Sequence, residues 1–181
     1  IIMGKQSAIG PIDPQITFPT QHGPYTAPAQ ALLDDFSRAK KEVTADPRVS
    51  PLWVSKIRDF PPGIFNICDE TIALSKMKVR DWLQTYMFAG ADDAGEKAAR
   101  ISEWLGNATN HKTHGHPISI AEAQGGGLNV TALEDDQPLQ DRVLSVFHAA
   151  AVTFAVTDCV KFIENHAGKG WFYKIQLKAE K

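Results

Sequence analysis

The sequence predicts a helix-rich α/β chain, and three observations carry that prediction. The chain opens on short extended segments, Ile1-Ile2-Met3 and Ser7–Pro14, punctuated by Gly4, Pro11 and Pro14. Most of the remaining chain repeats apolar residues at helical spacing. Neither an internal repeat nor a low-complexity tract breaks the pattern. A length of 181 residues suits one substantial core. Residues 1–27 are expected to be a strand segment of that core, and residues 28–181 the helical part of the same domain. The opening strand has no lead-in, so its pairing partners are expected upstream, and the chain is expected to be a C-terminal piece.

Taken in order, Ile16–Ala27 reads as a turn-rich connector, because Pro19, Gly23 and Pro24 interrupt it. Pro28 then suits the first turn of a helix striped by Ala31, Leu32, Phe36, Ala39 and Val43 and ended by Asp46-Pro47. A short helix is expected over Pro51–Ile57, before the break at Phe60–Gly63. The longest helix is expected over Ile64–Phe88, where Ile64, Cys68, Ile72, Val79, Leu83 and Tyr86 recur and Trp82 widens the face. Asp93 with Glu96 forms a candidate capping box for a helix through Leu105. A polar loop, Gly106–Pro117, carries His111, His114 and His116. Ser119 with Glu122 is a second capping pair, on a short helix that Gly125–Gly127 ends. Leu128–Val130 reads as a brief strand or an extended link, Pro138–His166 as the last helix, and Trp171–Leu177 as a terminal strand or tail.

Bulk properties exclude several classes of function. Nineteen basic and 21 acidic residues give a formal charge of −2, so there is no electrostatic footprint for nucleic acid. No apolar run approaches the roughly 20 residues that span a bilayer. Cys68 and Cys159 lack zinc or redox spacing and read as buried apolar groups of a cytoplasmic protein. Membrane attachment of a parent protein is left open.

Several motifs carry chemistry. Ser7 stands between Gly4 and Gly10, but the spacing is not that of a nucleophile elbow and Pro11 comes after it. Asp13, held between Ile12 and Pro14, suits either an Asx turn or the acid that orients a histidine. The turn Thr113-His114-Gly115-His116-Pro117 suits presentation of one imidazole as a general base, or else a solvated loop. A zinc reading of His111, His114 and His116 lacks both the helical H-E-x-x-H and a cysteine pair, so no metal and no cofactor is expected. Lys40-Lys41 would serve a serine–lysine dyad but belongs to the wet face of its helix. His22, His148 and His166 have no comparable context.

Met3-Gly4-Lys5-Gln6-Ser7-Ala8-Ile9-Gly10-Pro11-Ile12-Asp13-Pro14-Gln15, together with Thr113–Ser119 leading into Ala121-Glu122-Ala123, resembles the serine dehydrogenase proteinase family. That family is a distant relative of ClpP and of signal peptide peptidase A. The resemblance runs over about Ile1–Asn165, weakly in the middle. It implies the C-terminal portion of a ClpP/crotonase-like fold with a helical extension, and a serine peptidase with triad order Ser, Asp, His. The positions that match are Asp13 as the acid and His114, three residues before Pro117, as the base. The family places an acidic and an aromatic residue after this histidine, where this chain has Gly115 and His116. His116 is therefore carried as a second candidate. The nucleophile and the glycine-rich oxyanion segment are implied upstream of Ile1, so this chain alone is expected to be inactive towards its peptide or protein substrate. A homo-oligomer is expected, because an unpaired sheet edge needs covering. The alternative is a non-enzymatic helical module that self-associates through Pro138–His166.

Overall fold

The computed structural model describes residues 1–20, 23–58, 60–107 and 117–175. The chain is a helix-rich mixture of helices and small sheets that forms two compact units. One unit holds Ile1 and Gln6–Val130; the other holds Ile2–Lys5 and Thr131–Lys181.

The first unit begins with a hairpin of β2 (Gln15–Thr20) and β3 (Gly23–Pro28), after the two-residue strand β1 (Ile2–Met3) that belongs to the second unit. The expected connector over Ile16–Ala27 is therefore a paired ladder. The prolines that argued against strand do no harm here, because Pro19 sits opposite Pro24 and neither needs a donor from the other. Thr17 and Thr26 join across the ladder through their hydroxyls at 2.8 Å. Across the ladder Ile16 sits opposite Ala27 and Phe18 opposite Tyr25, with Phe18 and Ala27 buried.

Helix α1 (Ala29–Ala45) comes directly after the hairpin, then a 3₁₀ turn over Pro47–Val49 and α2 (Ser50–Ile57). Phe18, Ala27, Ala29 and Leu32 pack with Ile64 and Cys68 of α3 (Ile64–Trp82) to form a core cluster. Phe60 caps it, its ring 5.6 Å from that of Phe18 and nearly perpendicular. Cys68 is fully buried, and desolvation pushes its thiol above the ordinary range, as for an inert core cysteine.

The long helix holds its expected stripe at Ile64 and Cys68 and then changes pitch into a π turn over Leu83–Met87. Leu83 stays buried, while Trp82 and Tyr86 are exposed, so the aromatic widening expected of this helix is not used in packing. Helix α4 (Ala94–Leu105) is next, with Ala98 and Ile101 fully buried, and α5 (Ile120–Gly125) is the last helix of this unit. The expected capping box of α4 does not form. Asp93 instead pairs with Lys97 at 3.0 Å, one helical turn on.

In the second unit, β1 pairs in parallel with β4 (Thr131–Ala132), and a 3₁₀ turn over Leu133–Asp135 leads to α6 (Gln137–Val156). The backbone N–H of Lys5 donates to Glu134 Oε1 at 2.8 Å and helps hold that carboxyl below its usual range. Its contribution is present above the unfolded-state value and is lost as pH falls through the lower folded one. The expected helix over Pro138–His166 ends early, at Val156. Thr157 Oγ1 accepts the Cys159 N–H at 3.1 Å and turns the chain into β5 (Cys159–Glu164), which pairs with β6 (Gly170–Lys174). Val160, Phe162 and Ile163 suit a strand, and β6 gives them a partner. Cys159 is buried as expected, but on a strand.

Replacing fully buried Ile101 by alanine should cost about 2–5 kcal/mol of stability in urea unfolding. A loss below about 1 kcal/mol would mean that α4 does not form a core at this position.

Candidate functional site

The segment Ser7–Pro14 is short of hydrogen-bonding partners of its own, because Pro11 and Pro14 break any run of donors. The fold supplies them from distant residues. Ile9 and Ile118 form an antiparallel bridge, Ile9 N–H to Ile118 O at 3.1 Å and Ile118 N–H to Ile9 O at 2.9 Å. Three residues on, Ile12 N–H donates to Leu105 O, the last carbonyl of α4, at 2.9 Å. Pro14 O then accepts the Ala29 N–H at 2.8 Å. The loop motif is thus pinned at both ends and in the middle.

Ile118 is fully buried, and α5 begins two residues later. Ser119 caps that helix: its N–H donates to Glu122 Oε2 at 2.9 Å, and the Glu122 N–H donates to Ser119 Oγ at 3.3 Å. The glycine run ends it as expected. Gly127 takes φ +97°, and a Cβ on Gly126 would lie 2.5 Å from the Trp104 ring of α4. Only glycine lets that indole close over the backbone. The result is a rigid bracket of α4, α5 and the Ile9–Pro14 segment.

Asp13 lies half-buried within this bracket, and its carboxylate accepts from Gln15 Nε2 at 2.9 Å. Gln15 was not singled out by sequence reasoning, although its place two residues after Asp13 in an Asp-Pro turn offered the signal. Ser7 is exposed. Lys40 and Lys41 lie on α1, exposed as a solvated face requires. His148 and His166 are exposed in the second unit. His114 and His116, with His111 and His22, lie outside the described residues, so their approach to Asp13 is not part of this geometry.

Among the described residues, no group of three histidine, cysteine or acidic side chains is placed to hold a metal ion. No helix among them is long and apolar enough to cross a membrane. Open grooves among the described residues of the first unit include two. One, of about 510 Å³ between α1 and α2, is lined mainly by Phe36, Val43, Trp53 and Ile57. The other, of about 540 Å³ between α3 and α4, mixes charged groups such as Lys76, Arg80 and Glu103 with apolar ones such as Ile72 and Met77. Neither is lined by Ser7 or Asp13.

In comparisons with known proteins, the chain matches no family model, no curated protein and no solved structure.

The capped helix of the bracket is directly testable. Ser119→Ala removes the cap of α5 and should lower stability by about 1 kcal/mol, read as a shift of the urea midpoint. An unchanged midpoint would show that the capping box is not populated.

Proposed function

We propose that this chain is the C-terminal portion of a ClpP/SppA-like serine peptidase, with Asp13 as the acid and His114 as the base of a Ser, Asp, His triad. His116 is the alternative base. The observation that carries the reading is the Ile9–Ile118 bridge. Asp13 lies a few residues after Ile9, and the histidine turn a few residues before Ile118. The bridge ties the segment that carries Asp13 to the residue that comes soon after the histidine turn in the sequence. Two motifs that the family resemblance joins in one site are thus linked in the fold by their nearest described neighbours.

In this reading the imidazole takes the proton of an attacking serine, and Asp13 holds the imidazole in the required tautomer. Gln15, bonded to the Asp13 carboxylate, fixes the rotamer of the acid. The resemblance assigns the serine and the oxyanion donors to residues outside these 181. The substrate is a peptide or protein. The second reading, a helical assembly module without catalysis, is favoured by one feature, the lack of any buried residue along α6.

A serine-directed fluorophosphonate probe separates the two on the full-length gene product. Labelling is expected, and Asp13→Asn and His114→Ala should each slow peptide hydrolysis by about 10⁴-fold. If His114→Ala is silent and His116→Ala is not, the base is His116. Absence of labelling, or full activity of Asp13→Asn, would remove the peptidase reading.

A further inference from the structure

The groove between α1 and α2 has no part in the proposed chemistry, since Asp13 does not line it. Phe36 and Val43 line its α1 wall, Val54 and Ile57 its α2 wall, and the small, buried Ala39 leaves room between them. Its aromatic groups are fixed by partners. Phe36 stacks on Phe65 of α3 with ring centroids 4.2 Å apart, and Trp53 Nε1 donates to Glu42 Oε2 at 2.9 Å. Even so, Phe36 stays 41% exposed and Val54 59%. Walls that are set before anything enters lose little freedom on binding.

Charge says what the groove accepts. Between Ala29 and Arg58 stand Arg38, Lys40, Lys41, Arg48, Lys56 and Arg58 against Asp34, Asp35, Glu42 and Asp46, a local cationic excess in a chain of formal charge −2. Each of those acids is engaged, Asp34 by Gln30 and the other three by Lys56, Arg38 and Arg48. Among the described residues, Lys40 and Arg58 line the groove and no carboxylate does. Lys40 falls between Phe36 and Val43 on the α1 wall, and Arg58 ends the α2 wall.

We propose that this groove docks an acidic amphipathic helix of a partner protein, its apolar stripe lying between α1 and α2 and its aspartates or glutamates on both flanks. The 8 residues of α2 are about 12 Å long at 1.5 Å per residue, so the contact is two turns of the occupant. A contact this small makes a transient complex. Other occupants fit less well. A second copy meeting groove to groove sets Lys40 and Arg58 against cations of the same patch. A bilayer surface has no ridge to enter a cleft. A fatty acid needs cations converging on its one carboxylate, and these two belong to opposite walls.

Two-dimensional NMR of the isotopically labelled chain, titrated with a capped alanine-based peptide of about 15 residues, tests this. The peptide carries leucine at i, i+4 and i+7 with glutamates on both sides of that stripe; its twin has lysine at every glutamate. The glutamate peptide is expected to bind at micromolar concentration and to move the Trp53 indole signal with the amides of α1 and α2. The twin should bind at least tenfold more weakly, because its charges oppose those of the walls. Val54→Asp should abolish binding. Should that variant unfold, the exposed change Lys40→Glu carries the test: it should weaken the glutamate peptide roughly threefold and strengthen the twin. Failure of the glutamate peptide to bind, equal affinity of the two peptides, or indifference to Lys40→Glu overturns the proposal. So do signal changes that lie away from α1 and α2, or binding of dodecanoate or phosphatidylglycerol vesicles where the peptide does not bind.

Discussion

Two backbone hydrogen bonds, between Ile9 and Ile118, hold together the part of this molecule on which its proposed chemistry rests. Each contributes only about 0.5–1.5 kcal/mol net, and joining such distant segments costs loop-closure entropy. The bridge therefore cannot stand by its own hydrogen bonds. Burial supplies the remainder: Ile118, Ile101 and Ala123 are fully buried, and the Trp104 indole closes over Gly126. The bracket positions Asp13 because the chain on either side of it is tied down, Ile12 to Leu105 and Pro14 to Ala29.

The helices were largely legible, because a stripe such as Ile64, Cys68 and Ile72 follows from spacing alone. Ser119 with Glu122 was legible for the same reason: a capping box is a local pattern. What escaped was decided by partners. The hairpin over Gln15–Pro28 forms despite its prolines because they face each other, a fact of register that composition does not contain. The end of α6 at Val156 escaped because Val160–Ile163 is equally apolar in either conformation, and β6 decides which it adopts. Asp93 chose Lys97 over a cap, which spacing allows equally well. Of the candidate site, the Gly-Pro-Ile-Asp-Pro segment was legible as a motif. Its tie to Ile118 was not, since a single bridge leaves no periodic trace.

The two units differ in how they are held. The first has a core in which the hairpin, α1 and α3 each bury a face, with the Phe18, Phe60 and Phe65 rings packed edge to face. The second rests on a two-residue parallel pairing and on the β5–β6 hairpin, which meets α6 where the Phe154 and Phe162 rings lie 5.2 Å apart. Catalysis in the proposed reading draws on the bracket of the first unit.

The peptidase reading requires that Asp13 and the histidine turn share one electrostatic environment. Proton NMR titration of the His114 imidazole, in the wild-type chain and in Asp13→Asn, measures this without any nucleophile. A carboxylate beside an imidazole favours its charged form, so removing the charge should move the His114 titration to lower pH. An identical titration curve in both proteins, for His114 and for His116 alike, would contradict that reading.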